Sequence, residues 1–222
     1  MKTKIKPTLL ALCALIVVTA TVFTTLAYLT DKEAVVNTFT VGNVSISLVE
    51  TDVDKDGDDQ SNDYHLLPGK TYQKDPTLTV DAESEESYIR MILTVHNHSA
   101  VQAIIDNEKN NLNDYSDLLG GWDESVWLYN GFTTDADANT ISFEFRYFET
   151  VDGFDNDGVA ADEELPALFE TLNVPGTLDG DELASLYEGG FKMVVEGHAI
   201  QSATFEDDED GAWAAFDVQM GK

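Results

Sequence analysis

Tyr88-Ile89-Arg90-Met91-Ile92-Leu93-Thr94-Val95-His96-Asn97 is the stretch on which the reading of the fold turns. Ile89, Met91, Leu93 and Val95 fall on one side of an extended chain, and Arg90, Thr94 and His96 on the other. Strict period-two alternation predicts a strand with one apolar face and one wetter face. Ile141, Phe143, Phe145 and Tyr147 repeat the pattern against Ser142, Glu144 and Arg146, and Phe191, Met193 and Val195 repeat it again. Residues 35–49, rich in Val, Phe, Thr and Ile, suit strands, with Gly42-Asn43 as a break or bulge. Several such strands imply an all-β protein: a two-sheet β-sandwich with the sheets packed face to face.

Helical signals are fewer and lie between strands, so short helices are expected in the sandwich loops. Asp179 to Glu188 carries an Asp cap, Glu182 three residues on, apolar Leu183, Leu186 and Tyr187, and a Gly189-Gly190 stop. Glu163 to Phe169 reads as a short helix with Pro166 near its start. Residues 101–120, with Leu112, Tyr115, Leu118 and Leu119, read as a third. No internal repeat and no linker divides the chain.

At the start, Lys2, Lys4 and Lys6 precede an apolar run from Leu9 to Val18, then small and β-branched residues lead through Thr25 to Ala27. That order is a secretory signal peptide over 1–27, with cleavage between Ala27 and Tyr28. The run is shorter than the roughly 20 apolar residues of a membrane span. The expectation is therefore a single exported domain over 28–222, in contact with the membrane only during export. The sole cysteine, Cys13, lies in the leader behind Leu12, where lipoprotein processing wants a small residue, so it reads as an apolar position of that run. The exported chain then has neither disulfide nor thiol chemistry.

The formal net charge is −30, and loss of three leader lysines makes it more negative still. Such a chain repels nucleic acid, which excludes that class of partner, and favours divalent cations or basic partners. With 43% hydrophobic residues, 11 Phe, 8 Tyr and 3 Trp, it is nonetheless no disordered acidic tail.

The sharpest local motif is Asp52-Val53-Asp54-Lys55-Asp56-Gly57-Asp58-Asp59-Gln60-Ser61-Asn62-Asp63. Asp52, Asp54, Asp56 and Asp58 with Asp63 have the ligand spacing of a calcium loop, because a glycine turn lets alternate carboxylates converge on one ion. A preceding strand and Asp59 at a normally apolar position argue against an EF-hand. The alternative is a solvated acidic hairpin insertion. A second loop, Asp152 to Gly158, offers Asp155 and Asp157 with Glu164 further on, but has Gly153 where the first ligand belongs. Glu206 to Gly211 reads as an exposed charged connection. His96 and His98 could share a face, yet zinc needs a third ligand, and His65 and His198 are distant. No H-E-x-x-H, no G-x-S-x-G and no cysteine nucleophile is present. Trp122, Trp127, Tyr129 and Phe132, around Gly120-Gly121 and Asn130-Gly131, read either as a ligand platform or as core at strand ends.

The chain also resembles the TasA/camelysin family of secreted Gram-positive proteins. The resemblance rests on Ala27-Tyr28-Leu29-Thr30-Asp31, then Asn37-Thr38-Phe39-Thr40-Val41-Gly42-Asn43-Val44, then Pro68 to Pro76. It continues with Ser87-Tyr88-Ile89-Arg90, Leu168-Phe169 with Val174-Pro175, His198 to Gln201, and Ala212-Trp213. It implies a jelly-roll-like sandwich, a dedicated signal peptidase, and a place in the extracellular matrix or on the cell surface of a Gram-positive bacterium. It implies biofilm-matrix fibres built by donor-strand complementation, head to tail with itself or with related matrix proteins. The donor strand would be Tyr28 to Phe39, including Leu29, Ala34, Val35 and Val36, against the simpler reading of 35–49 as the domain's own first strand. Camelysin's metalloprotease assignment makes a zinc enzyme through His96 and His98 the alternative, and a calcium-dependent surface-binding module is a third.

Overall fold

The alternating stretch becomes a ten-residue strand, Ser87–His96, in the computed structural model, which describes residues 43–55, 62–205 and 208–221. These belong to a compact unit spanning Gly42–Lys222. The leader, its cleavage point Ala27/Tyr28 and the donor segment 28–39 lie outside the described residues, as do Asp56, Asp58, Glu206 and Asp207.

In chain order the strands are β1 (Ile46–Val49), β2 (Thr71–Gln73), β3 (Thr77–Val80), β4 (Ser87–His96) and β5 (Leu119–Gly120). There follow β6 (Trp127–Asp135), β7 (Thr140–Tyr147), β8 (Glu163–Glu164), β9 (Thr171–Asn173) and β10 (Lys192–Gln201). Every pairing is antiparallel. The fold is thus all-β, but the described strands form three sheets where two were expected: β1-β3-β8, β10-β4-β7-β6 and β2-β9-β5.

The four-stranded sheet is the frame. Ile89, Met91, Leu93 and Val95 of β4 are buried, as the alternation requires, with Ile141 and Phe145 beside them on β7. The small sheet of β1 and β3 lays Leu78 and Val80 into the same core, and Ile46 and Leu78 cover Gly197 of β10.

Two α-helices sit between strands, α1 (His98–Ile105) and α2 (Gly180–Glu188), and a third, α3 (Glu209–Gln219), follows β10. α2 is the helix its sequence announces. Asp179 accepts hydrogen bonds from the amides of Asp181 and Glu182, and Glu182 reaches back to the Asp179 amide, a reciprocal cap. The other helix expectations need correction. Residues 163–169 are not helical: Leu165 N–H donates to Leu78 O at 2.9 Å and Leu168 N–H to Pro76 O at 3.0 Å. Pairing with the β3 segment outweighs the weak local preference, and Leu165, Leu168 and Phe169 become core. In 101–120 only the first turns are α-helical; short 3-10 turns at 108–110 and 115–118 follow. The acidic run is likewise no mere connection, because residues 209–211 open α3.

Candidate functional site

β1 and β10 are edge strands. β1 pairs only with β3 and β10 only with β4 among the described residues. Their unpaired edges face a cleft of about 1000 Å³. Ile46 and Leu48 form one wall, Met193 and Val195 the other, with Leu66, Leu172 and Leu186 deeper in. Period-two alternation explains the walls: each strand turns every second, apolar residue inward. The first and last described strands thus meet across a gap that leaves one backbone edge of each without a strand partner among the described residues, while Ile46, Leu48, Met193 and Val195 pack partly buried along it.

The polar end of the cleft is built from the segment around the first acidic loop. Lys74 Nζ and Glu50 Oε1 form a buried ion pair at 2.6 Å. Tyr64 O–H donates to Gln73 O at 2.7 Å, and its hydroxyl is held neutral well beyond the usual range by burial, then by Glu50, Asp75 and Asp54. Burial pushes the Asp75 carboxyl up, but hydrogen bonds from Thr51 and Gln73 outweigh it and hold the group below its ordinary value.

Of the calcium-loop residues, Asp52, Asp54 and Asp63 are described. Asp52 accepts from the Lys55 amide at 2.5 Å, and Asp54 from the Asp63 amide at 2.8 Å. Asn62 ties the loop's two ends together, accepting from Val53 N–H and donating to Thr51 O. Of the loop's described end, Asn62 and Asp63 border the cleft.

In the second loop Asp155 accepts from the amides of Asp157 and Val159, closing a turn, while Glu164 lies in β8 opposite Thr79. Gly153 is packed against backbone: a Cβ there would lie 2.3 Å from Asp81 O and 2.6 Å from Ser84 N. No ligand-bearing side chain fits the position where calcium spacing needs the first carboxylate. Among the described residues no three His, Cys, Asp or Glu side chains are grouped to hold a metal.

The histidines are dispersed. His96 lies on β4 opposite Thr140 and Lys192, and His98 opens α1 with Nδ1 2.6 Å from Tyr115 Oη. His198 Nδ1 accepts from Arg90 Nε at 3.1 Å, and His65 lies beside Tyr187. The aromatic cluster divides: Trp127 is fully buried core and Trp122 packs on Phe145, whereas Tyr129 and Phe132 are exposed.

The cleft itself was not foreseen from the sequence. Its signal was present in the alternation of residues 191–195, but nothing local says which edge that strand leaves open. No helix among the described residues is long and apolar enough to cross a membrane. Comparison with family models, curated proteins and solved structures yields no match.

Proposed function

We propose that this protein is a secreted structural subunit of extracellular matrix fibres, a jelly-roll-like sandwich completed by the N-terminal strand of the next subunit. One observation carries the reading: the cleft between the unpaired edges of β1 and β10. A β-prone peptide entering it satisfies backbone groups along an edge and buries alternate side chains against Ile46, Leu48, Met193 and Val195. The donor is Tyr28 to Phe39, with Leu29, Ala34, Val35, Val36 and Phe39 as its apolar residues. Its 12 residues extend to about 40 Å at about 3.3 Å each, enough to follow the whole of β10. Leader removal at Ala27 would free that strand, so export and assembly are coupled. A head-to-tail contact of this kind does not close on itself, and the product is a filament.

The test compares residues 28–222 with a chain beginning at Asn43. Filaments in electron micrographs are expected from the first alone, and a 28–39 peptide added to the second should raise its Tm. Equal assembly by both chains would remove donor-strand exchange. A shorter chain that is monomeric yet ignores the peptide would show that the segment does not occupy the cleft.

A further inference from the structure

A second cavity, of about 620 Å³, lies on the four-stranded sheet beneath α1 and the 114–124 segment. We propose that it is a binding site for a planar aromatic cation. The volume is that of a site for a small organic molecule, commonly about 300–1,000 Å³.

The lining is organised around Phe143. Its ring centroid lies 5.0 Å from Tyr115, 6.2 Å from Phe132 and 6.5 Å from Tyr129. Two of these rings stand there through a deliberate irregularity in β6. Residues 129 and 132 are an odd number apart and would point to opposite faces of a regular strand. A bulge between Tyr129 and Phe132, with Gly131 at φ 111°, resets the alternation so that both line the cavity. That φ is open to glycine and strained for other residues.

At the mouth Tyr129 is 48% and Phe132 60% exposed, so apolar ring faces are held in water on an edge strand. The charged residues of the lining are Asp114 and Glu124, with no lysine or arginine among them. Aromatic faces and carboxylates share one preference: ring quadrupoles attract a cation over the face, and the acids attract it to the entrance. The chain's net charge of −30 opposes any anion. The deeper polar pair, Tyr115 and His98, is already hydrogen-bonded to itself, and burial followed by Asp106 pushes the tyrosine up to about 12, so it stays a neutral ring.

The experiment uses the full chain and two probes with three fused rings, cationic proflavine and anionic anthracene-2-sulfonate, by calorimetry at physiological salt. Proflavine should bind one to one, at least tenfold tighter than the sulfonate. The double variant Tyr129→Ser/Phe132→Ser, which alters no charge, should lose at least tenfold in proflavine affinity with Tm unchanged. Asp114→Asn/Glu124→Gln should weaken proflavine severalfold and leave the sulfonate no weaker. Equal proflavine binding by wild type and the aromatic double variant would overturn the proposal, since surface charge alone would then hold the dye. Equal affinity for the two probes would also overturn it. Both outcomes are independent of filament formation, which is read separately from residues 28–222 in the microscope.

Discussion

The two faces of the four-stranded sheet are closed by different means, and β4 shows both. On one face Arg90 is buried under α3, its guanidinium 4.4 Å from the centroid of Trp213 and 5.1 Å from that of Phe216. It pairs with Asp217 and with Glu144, and donates to His198. Arg146, one strand over, holds Glu144 and Asp210, each at 2.7 Å. On the other face α1 and α2 pack Val101, Ile104, Ile105 and Leu186 into the core, and polar ties fasten α2 to the residues on either side of α1. Asn97 Nδ2 donates to Ser185 O at 2.8 Å, Asn107 and Asn110 donate to Glu182, and Lys109 pairs with Asp179 and Glu182. One face is covered by a helix stacked on a buried cation, whereas the other, beside its packed helices, carries the cavity of about 620 Å³. One face is a lid, and the other is a vestibule.

Breaking the lid should have the largest effect. Trp213→Ala removes a side chain that is 2% exposed and should cost about 3–5 kcal/mol, read as a large fall in Tm. Arg90→Met keeps the volume but strips the carboxylates of their partner. We expect a loss of about 1.5–3 kcal/mol by denaturant titration, with Asp217 spared the full penalty by its partial exposure. A variant as stable as wild type would mean that the rings alone hold α3.

The smallest effect belongs to the polar ties of the other face. Lys109 holds the Asp179 carboxyl below its ordinary value. Burial raises Glu182, but the Asp179 amide, Lys109 and the two asparagines outweigh it, so that group is also depressed. Depressed folded-state values stabilise above the ordinary carboxylate range and lose that contribution as pH falls through them. Lys109→Met should lower Tm slightly at neutral pH, and its difference from wild type should shrink in acid. A difference that grows in acid would reverse the assignment.

The comparison also separates what was legible from what was not. The apolar side of β4 and the cap of α2 were readable because alternation and the Asp179–Glu182 box are local signals. Leu165, Leu168 and Phe169 mislead by their helical spacing, since the partners that keep them extended, Leu78 and Pro76, lie about ninety residues away. α3 hides behind its acids, although Asp208 caps it and Trp213 and Phe216 fall near one another on one face. Half of β4 was read as wet because Arg90 is polar, and only its stacking partners show how that residue is buried.

By itself the sequence determined the all-β class, the inward residues of the long strands and one capped helix. These follow from side-chain period, turn chemistry and composition, each confined to a few neighbouring residues. Only the tertiary structure decided that β1 and β10 leave edges open to one cleft, that α3 seals one sheet face, and that a bulge gathers rings over the other. The reason is physical: an edge, a lid or a cavity is defined by which distant segment occupies the adjoining space, and no local pattern carries that information.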